Sequence, residues 1–135
     1  MIFVDTSFLF ALTAENDPHH TEAKELFDRA IKENEEFVIH NYIIVECFAL
    51  LDRRIGRSGS LELLKNLPKF KVSWIKHEEH ILAEIEFKEA RSKRLSFVDI
   101  VSFQFMRSLE IRDYLGFDSD FEKEGFRLFG QKSHH

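Results

Sequence analysis

The sequence contains a single cysteine, Cys47, so no internal disulfide can form and the core alone must hold the chain. Cysteine used this sparingly fits a reducing cytoplasm, and Cys47, set in an apolar run, reads as a small core residue. With two prolines and five glycines in 135 residues, no linker or low-complexity segment divides the chain. No apolar run approaches the roughly 20 residues needed to cross a bilayer. No basic leader precedes the first apolar residues, so no export signal is expected. Positive charge is also short: 19 Lys and Arg stand against 24 Asp and Glu, a net charge of −5. That balance argues against a protein that gathers phosphates through an overall positive field. It leaves open an enzyme whose acids are neutralised by bound metal.

What the chain does have is apolar bulk. It is 44% hydrophobic and holds 15 phenylalanines, enough for an aromatic core or for an intersubunit surface. Its length suits one domain, expected over residues 1–130, with 131–135 as a tail. The closing His134-His135 are of the kind added for purification and carry no weight here.

The hydrophobic pattern alternates between strand and helix. Strands are expected at the opening Ile2-Phe3-Val4, at Phe37-Val38-Ile39-His40, from Phe70 to Ile75 and from Tyr114 to Phe117, with a possible fifth from Phe126 to Phe129. Between them, helices are expected over Thr6–Thr13, from Pro18 to about Asn34, and from Asn41, acting as a cap, to about Ile55. Further helices should follow a break at residues 56–60 (Leu61 to Asn66), then from Glu79 to Arg94 and from Ser96 to about Leu109. His19 and His20 read as surface residues at a helix start. Strands separated by helices imply crossover connections, hence an α/β fold with a mainly parallel sheet covered on both faces.

Four acids sit in apolar settings. Asp5 ends the first strand, Glu46 lies within Tyr42–Leu51, Asp99 is the only charge in residues 96–103, and Asp118 follows the strand at Tyr114–Phe117. Each has a plain alternative: a helix cap for Asp5, an ion pair for Glu46, a capping box with Ser96 for Asp99, a turn cap for Asp118 or Asp120. One cause would cover all four, a divalent cation held by converging carboxylates. Oxygen donors without a His or Cys cluster select Mg²⁺ or Mn²⁺, and Mg²⁺ works on phosphates. Metal-assisted phosphodiester hydrolysis is the chemistry that follows.

In order and spacing, Asp5-Thr6-Ser7, Glu46, Asp99 and Phe117-Asp118-Ser119-Asp120-Phe121 resemble the PIN-domain family, above all its VapC-type toxins. The resemblance spans the chain to about Phe129. It implies a Rossmann-like α/β/α sandwich and a Mg²⁺- or Mn²⁺-dependent endoribonuclease. Asp5, Glu46, Asp99 and Asp118 match the family's metal-binding and catalytic quartet, and Thr6 or Ser7 its hydroxyl beside the first acid. Asp17 and His20 fall in a matching interhelix loop and are taken as structural. The resemblance also implies an RNA substrate, a homodimer and a small antitoxin partner.

Two departures stand out. Gly116 replaces a threonine common before the last acid, so a supporting hydroxyl is missing there. Ile100, Phe103, Phe105 and Met106 make the helix after Asp99 bulkier than usual, which bears on substrate access and antitoxin geometry. For holding the RNA backbone, the candidates are Arg53, Arg54 and Arg57 and the run Arg91-Ser92-Lys93-Arg94. Either group could equally be a solvated helix end. Other PIN nucleases act in RNA processing, and a non-cutting PIN-like binding module is the remaining alternative.

Overall fold

A computed structural model describes residues 1–90 and 94–131. Five strands form one wholly parallel sheet: β1 (Ile2–Val4), β2 (Phe37–His40), β3 (Lys71–Ser73), β4 (Asp113–Leu115) and β5 (Arg127–Leu128). Their order across the sheet is β3-β2-β1-β4-β5. The chain therefore winds outward from β1 to β3, returns past β1, and continues in the other direction through β4. That reversal opens a crevice at the carboxyl ends of β1 and β4, where open α/β sheets bind ligands.

The helices are α1 (Thr6–Thr13), α2 (His20–Lys32), α3 (Asn41–Arg54), α4 (Arg57–Asn66), α5 (His77–Glu89), α6 (Phe97–Ser108) and the short α7 (Asp120–Lys123). Successive strand residues point to opposite faces. Phe37 of β2 accordingly packs on Phe27 of α2, with centroids 4.4 Å apart, while Phe3 of β1 meets Phe105 of α6 and Phe121 of α7 on the other face. This is the three-layer α/β/α arrangement expected. None of the described helices is long and apolar enough to cross a membrane.

The phenylalanines go mainly to the core: of the 15, only Phe87 is exposed. Ile100, Phe103, Phe105 and Met106 of α6 are all buried, Phe103 edge-on against Phe121. Phe103, Phe105 and Met106 fill the core under the sheet, Ile100 packs with Ala83 and Val101 between α5 and α6, and none of the four lines the cleft.

Some local expectations need correction. The break after α3 is confined to Ile55-Gly56, with Gly56 at φ +108°; Arg57 already begins α4, and Ser58-Gly59-Ser60 are helical. A Cβ at Gly59 would meet Ile55 and Leu51 at 3.2–3.3 Å, so glycine there allows α4 to pack closely on α3. Helix α5 ends at Glu89, where Ala90 turns extended, well short of Arg94. The strand expected at Tyr114–Phe117 lies at Asp113–Leu115, and the one expected at Phe70–Ile75 is only Lys71–Ser73. Of the run Arg91-Ser92-Lys93-Arg94, only Arg94 is among the described residues.

The cap of α3 is His40 rather than Asn41. The His40 Nδ1 accepts the Ile43 amide at 3.3 Å, and Asn41 instead accepts the Ile75 amide through Oδ1 at 2.7 Å. Because Nδ1 accepts, the ring proton is on Nε2, which donates to Ser102 Oγ at 2.9 Å. His40 has no solvent exposure and stacks on Phe3. One imidazole thus joins β1, the start of α3 and α6, the elements that carry Asp5, Glu46 and Asp99.

Candidate active site

A cleft of about 620 Å³ opens over the crevice between β1 and β4. Asp5, Thr6, Ser7, Glu46, Asp99 and Asp118 all line it. The apolar strand β1 brings Asp5 there, and its amide is held by the Leu115 carbonyl of β4 at 2.9 Å. Helix α3 supplies Glu46, the first turn of α6 supplies Asp99, and the bend after β4 supplies Asp118.

Asp5 is the most enclosed of the four. Burial pushes its pKa up to about 7, the Thr6 amide and Ser7 hydroxyl partly oppose this, and the charges of Asp99 and Glu46 add to it. Glu46 and Asp99 are half-buried, and both are raised, first by burial. For Asp99 the Ser96 amide and hydroxyl pull the other way, while Asp118 and Asp120 push it further up. Among the described residues no Lys, Arg or His forms an ion pair with any of the four. Carboxylates collected this way without a protein cation are poised to receive one.

The plain alternatives hold in part alongside this. Asp99 does complete a capping box: its Oδ2 accepts the Ser96 amide at 3.0 Å, and its amide donates to Ser96 Oγ at 3.1 Å. Asp118 Oδ1 accepts the Asp120 amide at 2.9 Å. Each carboxylate has four lone-pair sites, so neither contact exhausts its capacity for a metal.

One hydroxyl supports the first acid. Ser7 Oγ accepts the Phe117 amide at 2.9 Å and donates to Asp5 Oδ2 at 3.1 Å. This answers the hydroxyl missing at position 116, where an added Cβ would stand 3.2 Å from that of Asp5. Thr6 Oγ1 is buried and meets no group of the described residues in good hydrogen-bonding geometry, although it lies near enough to Glu46 to lower that carboxyl somewhat. An orphaned buried hydroxyl beside two acids fits a site whose remaining partner is a ligand or ion. An all-carboxylate and hydroxyl donor set suits Mg²⁺ or Mn²⁺.

The sequence missed Asp120. It is buried at the first residue of α7, and one of its oxygens lies within 4.8 Å of oxygens from Asp99 and Asp118. Asp5 and Glu46 stand outside that tight triangle, although Asp5 and Glu46 feel the Asp99 charge. Unlike the others, Asp120 is met by cations, Arg94 at 3.2 Å and Lys123 at 3.9 Å. Its spacing two residues from Asp118 was visible; the distant Arg94 was not.

Of the basic candidates, Arg53 and Arg54 line the cleft, the Arg54 guanidinium 5.3 Å from the Phe10 ring centre. Arg57 is exposed at the start of α4 and is not among the lining residues. His19 is exposed, as expected at a helix start, and also lines the cleft, stacked on Phe117. His20 bears out a structural reading, its Nδ1 donating to the Ala11 carbonyl at 2.8 Å. Cys47 is buried and its thiol is pushed up to about 12 by burial, then by Glu46 and Asp5, so it is inert at neutral pH.

Comparison with protein families matches residues 2–126 to the PIN domain. The chain belongs to the PIN-domain family. It is 32% identical over 132 residues to VapC20 from two strains of Mycobacterium tuberculosis, described as a 23S rRNA-specific endonuclease; the match covers 93% of this chain and 95% of the relative. The crystal structure of M. tuberculosis VapC20, described as a sarcin-ricin loop cleaving toxin, superposes with a TM-score of 0.83 at 28% identity. That superposition covers 94% of this PIN domain and 97% of VapC20. PAE2754 from Pyrobaculum aerophilum shares the fold, with a TM-score of 0.63 at 24% identity over 94% of this chain and 81% of that one.

Proposed function

We propose that this PIN domain is a VapC-type toxin, an endoribonuclease in which Asp5, Glu46, Asp99 and Asp118 hold Mg²⁺ or Mn²⁺. The observation that carries the reading is the buried Asp5 carboxyl, without a cation among the described residues, in one cleft with three further acids at the β1–β4 switch point. A divalent cation there would offset charge on the scissile phosphate and ready a water for attack.

The chain's own residues divide the remaining work. Ser7 orients Asp5, and Ser96 orients Asp99. Arg53 and Arg54 at the rim are placed to meet phosphates of the RNA backbone, in a protein with no general positive field to draw the substrate in. Likeness to VapC20 makes a loop of the large ribosomal RNA the substrate to test first. It also supports a small antitoxin as partner and action in the cytoplasm. A homodimer is part of the proposal; exposed Leu82, Ile85 and Phe87 of α5, with Trp74, give it apolar surface to bury. The full set of carboxylates favours a nuclease over an inert binding module, since keeping them together without a metal is costly.

Purified chain incubated with ribosomal RNA tests the reading, with cleavage sites mapped by primer extension. Cutting should need Mg²⁺ or Mn²⁺, stop in excess EDTA and vanish in Asp5→Asn. Cleavage that persists in that variant and in chelator overturns it.

A further inference from the structure

Three rings run in a row from the core to the mouth of the cleft. Phe8 of α1 has no solvent exposure and stacks on Phe117, centroids 5.7 Å apart and planes 19° from parallel. Phe117 stacks in turn on His19, at 4.2 Å and 16°. His19 is the outermost ring. Its side chain is 54% exposed although Phe117 covers one face, so the other face is open to the cleft that both residues line.

The backbone that carries this outer ring is tied down, and the ring itself rests on Phe117 with its Nδ1 3.8 Å from Glu22 Oε2. The His19 amide donates to the Asp17 carboxylate at 2.9 Å, and the next residue, His20, is tied to the Ala11 carbonyl. Phe117 directly precedes Asp118, and its amide rests on Ser7 Oγ, the hydroxyl that donates to Asp5. The stack is therefore fixed in register with two of the acids at which a phosphate would be cut. A flat ring held in place, bare on one side and beside that site matches the π-face of an unstacked nucleobase.

We propose that His19 and Phe117 form a platform on which one nucleobase next to the scissile phosphate stacks, rests splayed from its neighbours, and so favours single-stranded loops over duplex. The proposal builds on the endoribonuclease reading above. The competing role for His19 is a simple apolar cover over Phe117. Leucine at 19 would preserve the cover and remove the stacking surface, which separates the two.

The test uses the full chain carrying Asp5→Asn, so that RNA is not consumed, and an RNA hairpin with one 2-aminopurine moved stepwise around its loop. Stacking quenches that base. Quenching at one loop position is expected, lost when His19→Ala or His19→Leu is added and kept with His19→Phe. In the metal-loaded wild-type chain, an abasic nucleotide at the same position should lower kcat/KM about 10-fold. His19→Leu should cost a similar factor on intact RNA and almost nothing further on abasic RNA. Absence of quenching at every position, full activity of His19→Leu, or losses that multiply overturns the platform. Quenching without RNA cleavage would leave the platform standing and overturn the nuclease reading; cleavage without quenching would do the reverse.

Discussion

Ser7 and Phe117, 110 residues apart in the chain, meet in one hydrogen bond: the Phe117 amide donates to Ser7 Oγ at 2.9 Å. Since that hydroxyl also donates to Asp5, it aligns the first acid with the loop that carries the last. Ser7→Ala would leave the Phe117 amide without this acceptor and remove a donor that lowers the Asp5 pKa. We expect a loss of about 1–3 kcal/mol in stability and a weaker affinity for Mn²⁺. Urea melts and calorimetric Mn²⁺ titration check this, and unchanged values in both would refute the role given to Ser7.

Asp5 destabilises the metal-free protein above mildly acidic pH. Its folded pKa of about 7 lies above the ordinary 3.8, so the folded state holds a proton that the unfolded chain has released between those values. Stability therefore falls as pH rises from about 4 to 7, by up to roughly 4 kcal/mol. In EDTA, Asp5→Asn should melt higher than wild type at pH 8 and match it near pH 4, while losing RNA cleavage. Equal melting temperatures at pH 8 would show that Asp5 is not buried in this way.

His40 works in the opposite direction. Burial depresses it to about 3, below its ordinary 6.5, because a protonated ring would lose both its burial and the cap it gives to Ile43. Its contribution is complete above pH 6.5 and declines as pH falls toward 3, by up to roughly 5 kcal/mol. Urea midpoints measured on the Asp5→Asn chain with and without His40 follow this titration by their difference. Adding His40→Ala should lower stability at pH 7 by about 2–4 kcal/mol and flatten the dependence below pH 6. A slope that survives the substitution would assign the acid sensitivity elsewhere.

Asp120 should matter less to metal binding than its neighbours. Arg94 and Lys123 already oppose its charge, whereas Asp99 and Asp118 have no such ion pair among the described residues. Removing a supporting group commonly costs about 10–100-fold in metal affinity, and Asp120→Asn should fall at or below the low end of that range. Asp99→Asn should exceed it. Calorimetry with Mn²⁺ compares the two, and an equal loss would make Asp120 a full ligand.

The sheet and the four acids that line the cleft were legible because their signals are local. A three-residue apolar strand ending in Asp5, or an acid inside an apolar helix at Glu46, can be read from neighbours alone. Asp99 was readable both as a cap and as an acid of the cleft, since the capping-box spacing to Ser96 and the apolar surroundings are equally local. What escaped depends on contacts between distant segments. Nothing near Asp120 announces Arg94, nothing near His19 announces Phe117, and Asn41 looks like a cap until His40 proves to have Ser102 behind it. Helix α4 began early because Ser58-Gly59-Ser60 reads as a breaker by composition, yet only Gly56 has the positive φ of a turn. The small Gly59 serves packing instead.

The strand order has a consequence for synthesis of the chain. β1 lies between β2 and β4, and its partner β4 begins at Asp113, so Asp5 waits for that distant segment before its setting exists. At ribosomal speeds of about 5–20 residues per second, that delay is on the order of ten seconds. A nascent or truncated chain lacking Asp118 cannot assemble the cleft, however well its first half folds. Such a cleft exists only once β4 and the bend behind it have been made and have reached β1.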